Sequence, residues 1–207
     1  MKSRTSTVKR PRQYVQGARA EAAEETGRRI VEVFLACLMD AWFDEITLDD
    51  VAVKAGVTVQ TVVRRFGGKE GLLAAALPMI GEQVRTTREA PSGDVDRIVD
   101  KLLLDYERTG DPVLRLLALE QRHLWLKKFM DHGRAQHRDW VAAAFAGTLE
   151  RLQGQQRRRM EDALVILTDA YTWKLLRRDM GRSVAESAEI LTAMIKRVIS
   201  GSEQPTA

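Results

Sequence analysis

Hydrophobic residues recur along most of this chain at spacings of three and four, as helices with one buried face require. Almost nowhere do they alternate as in a half-buried strand. Ile30, Val31, Phe34, Leu35 and Leu38 predict a first helix from about Ala20 to Trp42. Leu48, Val51, Ala52 and Ala55 predict a short second helix; Val59 with Val63 and Val62 with Phe66, each four apart, predict a third with those four side chains inward. After Gly67-Gly68, the apolar positions Leu72, Leu73, Ala76 and Leu77 open a long helix extending through Val84 toward Pro91, with Pro78 as a site for a kink. Ile98, Leu102, Leu103 and Tyr106 mark the next helix, which Gly110 is expected to break before Asp111-Pro112 starts another. That one holds Leu116, Leu117 and Leu119. Gly133 interrupts the region ahead of a helix through Trp140, Phe145, Leu149 and Leu152 that ends near Gly154. Two more follow, at about 156–180 and 184–199. The chain is expected to be all-α.

The segment 47–69, TLDDVAVKAGVTVQTVVRRFGGK, carries the most specific signal. Thr47 can cap the first of its two helices, with Asp50 suited to the positive helix N-terminus. Gly56 supplies the left-handed residue that ends it, and Thr58 caps the next. With its valines inward, the second helix leaves Gln60, Thr61, Arg64 and Arg65 more exposed. Two short helices so joined make a helix-turn-helix, whose second helix enters a DNA major groove.

At these residues the chain resembles the N-terminal domain of the TetR family of transcriptional regulators. Thr47, Val51-Ala52, Ala55-Gly56-Val57, Phe66 and Lys69-Glu70 stand in register with the family pattern. It departs from that pattern at Val63, where a Tyr is usual, at Gln60, where a small residue is usual, and at Trp42, near an expected Gly. Without the Tyr hydroxyl, backbone contacts must come from elsewhere, and Arg64 and Arg65 are the candidates. The DNA-contacting set expected is Thr47, Thr58, Gln60, Thr61, Arg64, Arg65 and Lys69. Thr58, Gln60 and Thr61 lie in the first turns, nearest base edges, and Lys69 sits where a phosphate could bind.

Charge bears on this reading through its distribution. The balance of 33 Lys and Arg against 29 Asp and Glu gives only +4, too small an excess to identify a nucleic-acid binder. No acid precedes Glu21, however, while Lys2, Arg4, Lys9, Arg10, Arg12 and Arg19 are basic, forming a tail that can follow a phosphate backbone or remain a solvated arm. With 44% hydrophobic and 30% charged residues in 207, the chain has room for a second core beyond a minimal DNA-binding unit. The expected organisation is a basic flexible tail at 1–19, a three-helix helix-turn-helix domain at 20–68, a connecting helix at 69–91, and a larger helical ligand-binding and dimerisation domain at 92–207. Cys37 is the only cysteine, so no intrachain disulfide forms, and no apolar run is long enough to span a bilayer. A cytoplasmic location is expected.

In the last helix Val184, Ala188, Leu191, Ile195 and Val198 form a coiled-coil-like stripe, and in the preceding one Leu164, Leu167, Tyr171 and Leu175 share a face. Burial within one subunit and burial between two are both compatible with these faces. The resemblance implies the second, a homodimer whose interface includes Leu164, Tyr171, Leu175, Leu191 and Ile195 and which reads a palindromic double-stranded operator with two recognition helices. It also implies a small-molecule effector site among the C-terminal helices. The sequence offers His123, Trp125, Phe129 and Trp140 for it, and beside them Met130, Phe145 and Trp173, most of these aromatics being equally suited to plain core.

Enzymatic motifs are lacking: there is no His-Glu-x-x-His, phosphate loop, dinucleotide fingerprint or strand context for a nucleophile elbow. His123, His132 and His137 do not share a helical face and have no accompanying Cys, so neither a metal nor a cofactor is expected. Arg157, Arg158 and Arg159 read as a solvated turn rather than a second nucleic-acid site. The expectation is a sequence-specific DNA-binding regulator, a repressor released from its operator by an unidentified effector. Two alternatives stand beside it: a DNA-binding regulator without a small-molecule effector, and an all-α enzyme or carrier with a structural helix-turn-helix.

Overall fold

A computed structural model describes residues 12–201, and among these there is no strand. Among the described residues ten α-helices follow one another: α1 (Arg12–Asp40), α2 (Leu48–Ala55), α3 (Val59–Phe66), α4 (Lys69–Thr87), α5 (Val95–Leu119), α6 (Leu124–Ala144), α7 (Ala146–Leu149), α8 (Gly154–Thr168), α9 (Ala170–Lys174) and α10 (Val184–Gly201). A wide π-helical turn at Leu175–Asp179 follows α9. The first helix begins at Arg12 rather than near Ala20, since the single glycine between them, Gly17, costs only about 1 kcal/mol and does not break it, so residues 12–19 continue α1 instead of forming a tail. Lys2, Arg4, Lys9 and Arg10 lie outside the described residues.

Two hydrophobic cores organise the molecule. The first gathers Ile30, Val31, Phe34 and Leu38 of α1 with Val51, Ala52 and Ala55 of α2, Val62 of α3 and Leu72, Leu73 and Ala76 of α4. It also takes in Leu116 and Leu119 from the end of α5 and Leu126 and Met130 from α6, so the larger domain completes the core of the smaller. Arg115 fastens the same junction: its Nη2 donates to the carbonyls of Leu38 and Met39, at 3.0 and 2.7 Å, where the end of α1 leaves carbonyls without helical partners. The second core joins α5 through Ile98, Leu102, Leu103 and Tyr106 to Phe145, Leu149, Leu164, Trp173, Leu191 and Ile195.

Helix α5 runs unbroken through Gly110, Asp111 and Pro112, contrary to the division expected there. An interior proline costs about 3 kcal/mol. Against that stand Leu102, Leu103 and Tyr106 in one core and Leu116 and Leu119 in the other, each side chain contributing about 1.5–3 kcal/mol on burial. Gly110 serves packing: a Cβ there would come within 2.4 Å of the Trp173 ring. Gly133 likewise fails to interrupt α6, since an exposed glycine costs only about 1 kcal/mol relative to alanine and buried residues lie on both sides of it.

The single helix expected over 156–180 is divided at Asp169. That residue adopts an extended conformation, φ −74° and ψ 154°, and its side chain accepts from the Tyr171 N–H at 2.8 Å, capping α9. The segment beyond is clamped to α5. Arg177 bonds both oxygens of Glu107, at 2.7 and 2.8 Å, Trp173 Nε1 donates to Glu107 at 2.9 Å, and Arg178 bonds both oxygens of Asp111, at 3.0 and 2.8 Å.

This packing corrects the interface residues expected from sequence. Leu164, Leu191 and Ile195 are buried in the second core of their own subunit, where α10 packs against α5, so the Val184-to-Val198 stripe faces inward for most of its length. Between the start of α8 and the end of α10, the large apolar residues left in solvent are Tyr171 (57% exposed), Leu175 (51%), Ile166, Met180, Val184 and Met194.

Candidate nucleic-acid interface

Short-range capping builds the helix-turn-helix. The Thr47 hydroxyl accepts from the Asp50 N–H at 3.1 Å and donates to its carboxylate at 2.5 Å. Gly56 sits at φ 64°, a conformation that branched residues avoid, and turns the chain so that Val57 N–H reaches the Ala52 carbonyl at 3.0 Å. Arg29 of α1 supplies a further donor to the end of α2, bonding the Ala55 carbonyl at 3.0 Å. Thr58 then caps α3 by accepting from the Thr61 N–H at 3.2 Å, and the two hydroxyls lie 2.9 Å apart. Thr47 therefore acts as a cap, while Thr58 and Thr61 form a coupled pair on the solvent side.

Val62 of α3 is fully buried, with Val59 and Phe66 partly buried beside it. At about 100° per residue, Val63 falls on the flank of that face, toward Gln60, and not within it. It is 42% exposed, which corrects the inward placement that the four-residue spacing suggested. Thr58, Gln60, Thr61, Val63 and Arg64 line one shallow cleft open to solvent. No acidic residue occurs between Val57 and Gly68.

Arg65 and Lys69 are placed differently. The Arg65 guanidinium crosses α1 at Gly27, where a Cβ would lie 2.3 Å from it, and stands 5.9 Å from the Phe66 ring centroid, so Arg65 flanks the cleft at the α1 junction. The Lys69 ammonium turns inward, donating to the Phe43 carbonyl at 2.8 Å and the Asp44 carbonyl at 3.4 Å, with its nitrogen 4.6 Å from the Phe43 ring centroid. Of the seven residues expected at the interface, the structure brings Thr58, Gln60, Thr61 and Arg64 together; Val63 joins them. Its departure from the usual Tyr was the one sequence signal that marked it.

The four candidate effector residues do not converge. His123 pairs with Asp44 at 3.6 Å in the loop before α2, Trp125 lies 5.0 Å from the Phe43 ring, and Phe129 packs on the first core. Trp140 stands beside the second, stacked on His137 at 5.5 Å. Here sequence reasoning missed a buried polar cluster. Arg88, just past α4, donates to Asp105 of α5 at 2.7 Å, with both side chains almost wholly buried (7% and 0% exposed). It also contacts His137 Nδ1 at 3.2 Å, while His137 Nε2 lies 3.1 Å from the Thr168 hydroxyl, which donates to the Leu164 carbonyl at 2.7 Å. Arginine has no acceptor, so Nδ1 accepts and Nε2 carries the proton. This neutral form suits the site: burial, aided by the Arg88 and Arg138 charges, pushes the His137 pKa down to about 4. His132 is exposed on the same helix, and among the described residues no three His, Cys, Asp or Glu side chains are grouped to hold a metal.

Comparison with known proteins gives two kinds of likeness. Residues 35–76, covering the end of α1 through the start of α4, match the model of bacterial regulatory proteins of the tetR family. The fold is similar to that of a transcriptional regulator from Pseudomonas aeruginosa PAO1, with a TM-score of 0.67 at 17% identity over 86% of this chain and 92% of that one. It is similar also to a transcriptional regulator from Rhodococcus sp. Rha1, with a TM-score of 0.64 at 14% identity over 84% and 96% of the two chains. A TetR-family transcriptional regulator from Rhodococcus sp. gives 0.58 at 19% identity over 84% and 99%. No curated protein matches the sequence.

Proposed function

We propose that the chain is a regulator of the tetR family, whose model residues 35–76 match, and that it binds a palindromic operator as a homodimer and represses transcription until an effector releases it. The observation that carries the DNA-binding reading is the solvent face of α3, where Thr58, Gln60, Thr61, Val63 and Arg64 share one cleft in a segment without acids. Hydrogen-bonding and cationic side chains on a helix held by both neighbours suit base edges in a major groove. Selection from a random duplex library with the purified protein tests it. The expected product is a palindrome with half-sites one turn apart, about 34–36 Å; recovery of no enriched sequence would reject it.

Dimerisation falls to the exposed apolar residues of the C-terminal elements: Ile166, Tyr171, Leu175, Met180, Val184 and Met194. Large apolar side chains exposed on these elements favour a partner that removes them from water. Leu175→Arg is expected to yield a folded monomer by light scattering, whereas Leu191→Arg, in the subunit's own core, unfolds the chain. A Leu175→Arg protein that remains dimeric places the interface elsewhere.

Helix α4 is the lever in this reading. Its first residue, Lys69, holds the loop before α2, and Arg88 just past its end is bonded to α5. An effector that prefers one position of α4 shifts the two recognition helices apart, and operator DNA must then weaken effector binding by the same factor. Distances between labels at Gly67 in the two subunits are expected to change on effector addition. The separation of Trp140 from His123, Trp125 and Phe129 favours a second reading of control, a regulator set by its concentration or by a protein partner. A thermal shift with one compound of a metabolite panel supports the first, and no shift across the panel supports the second.

A further inference from the structure

Val63 is a branched aliphatic side chain, 42% exposed, on the face of α3 that otherwise carries hydroxyl, amide and guanidinium groups. Nothing in the fold explains that choice. A β-branched residue is a weaker helix former than alanine or glutamine, and at this exposure it recovers little of the free energy of burial. Gln60, one turn earlier, and Arg64, the next residue, line the same cleft, so Val63 lies between a side chain suited to adenine and one suited to guanine. Among the groups that major-groove base edges present, the thymine C5-methyl is the apolar one.

We propose that Val63 reads a thymine methyl group in each operator half-site, beside the base pair that Gln60 contacts; this rests on the operator-binding reading above. The contact is apolar against apolar and excludes water from both groups. Cytosine carries a hydrogen at C5 in place of the methyl and an amino group at C4 in place of the carbonyl, which leaves Val63 without its apolar partner and beside a polar group. Val63 thus supplies specificity for an A·T pair through shape and dehydration alone.

Replacing each thymine of the selected operator in turn by deoxyuridine removes the methyl and leaves base pairing unchanged. Wild-type protein is expected to lose affinity at one thymine per half-site, by about fourfold for each, the worth of one buried methyl-sized group, and about fifteenfold when both half-sites are changed. Val63→Ala, at an exposed position where folding is unaffected, should bind the thymine operator more weakly and be indifferent to uracil there. Selective binding without a uracil-sensitive thymine, or a Val63→Ala protein that keeps the full sensitivity, overturns the assignment and leaves operator binding standing. Failure to select any sequence overturns operator binding first and this assignment with it.

Discussion

At the start of α4 a lysine ammonium lies over the Phe43 ring, 4.6 Å from its centroid, and bonds two backbone carbonyls. Just past the other end an arginine lies 4.7 Å from the Tyr106 centroid and 5.2 Å from that of Trp140, and bonds a carboxylate. Each is a cation held by an aromatic face and by oxygen, yet the surroundings differ. Lys69 is partly solvated and binds neutral groups, so its positive charge persists beside the recognition helix. Arg88 is buried, and burial of a guanidinium is tolerable only with its charge compensated, here by Asp105. The solvated end of α4 can thus lose its cation without leaving a buried charge behind, while the buried end is fixed by an electrostatic requirement that removal of either member violates.

The largest effect is expected at the buried end. Asp105→Ala leaves the Arg88 charge without its carboxylate and should destabilise the fold by about 3–5 kcal/mol, measured by urea denaturation. Removing both partners with apolar residues of similar volume, as in Arg88→Met with Asp105→Leu, should restore much of that loss. If Asp105→Ala unfolds at the wild-type urea concentration, the pair is solvated and the contrast between the two ends of α4 disappears.

The same cluster predicts a pH dependence. With its folded-state pKa near 4 and an ordinary value of 6.5, His137 takes up a proton in the unfolded chain at a pH where the folded chain refuses it. Between these values the unfolded state binds more protons, so stability rises with pH and falls as pH is lowered from about 6.5 to about 4, by roughly 2–3 kcal/mol in all. Carboxylates held low by cationic partners, Glu107 and Asp111 by Arg177 and Arg178 and Asp131 by Lys127, act only below the ordinary carboxylate range. His137→Gln should therefore flatten the urea midpoint between pH 6.5 and 4.5 and leave the drop at lower pH. An unchanged slope in that variant would assign the effect to another group.

Arg64 gives the converse experiment. Arg64→Ala removes an exposed side chain with no part in either core, so stability should stay within about 0.5 kcal/mol of wild type. Operator affinity should drop by about 1–3 kcal/mol if the guanidinium bonds a base edge. Equal affinity in the variant would remove Arg64 from the interface.

Why one end of the molecule was legible and the other was not follows from the range of the interactions. Thr47, Gly56 and Thr58 act within three or four residues of themselves, so their spacing alone foretells two capped helices and a turn. Val63 shows where local pattern fails even there, because pairing with Val59 four residues earlier does not say which side of a short helix meets the core. In the C-terminal half the decisive contacts join residues far apart in sequence: Arg88 with Asp105 and His137, Tyr106 with the Thr168 carbonyl at 3.1 Å, Gly110 with Trp173. Gly110 and Pro112 looked like a break because their tertiary purpose is invisible along the chain. The stripe on α10 was read correctly as apolar, but the choice between its own subunit and a partner depended on where α5 packs, which no local pattern reveals.

The smallest effect separates two roles for Lys69. As a phosphate ligand it should weaken all sequences alike when removed and make the salt dependence of binding shallower by nearly one for each half-site. The geometry points to a structural role, since two of its three ammonium donors already reach the Phe43 and Asp44 carbonyls and the nitrogen lies over the Phe43 ring. Lys69→Ala is therefore expected to cost on the order of 1 kcal/mol of stability, as a hydrogen-bonded charge at a half-buried site does, with the slope of log affinity against log salt unchanged. Lys69→Met, which keeps much of the apolar stem and loses the charge, should recover part of the stability. A shallower salt slope for both variants at full stability would show that the remaining donor reaches a phosphate, and would return Lys69 to the DNA-contacting set beside Arg64.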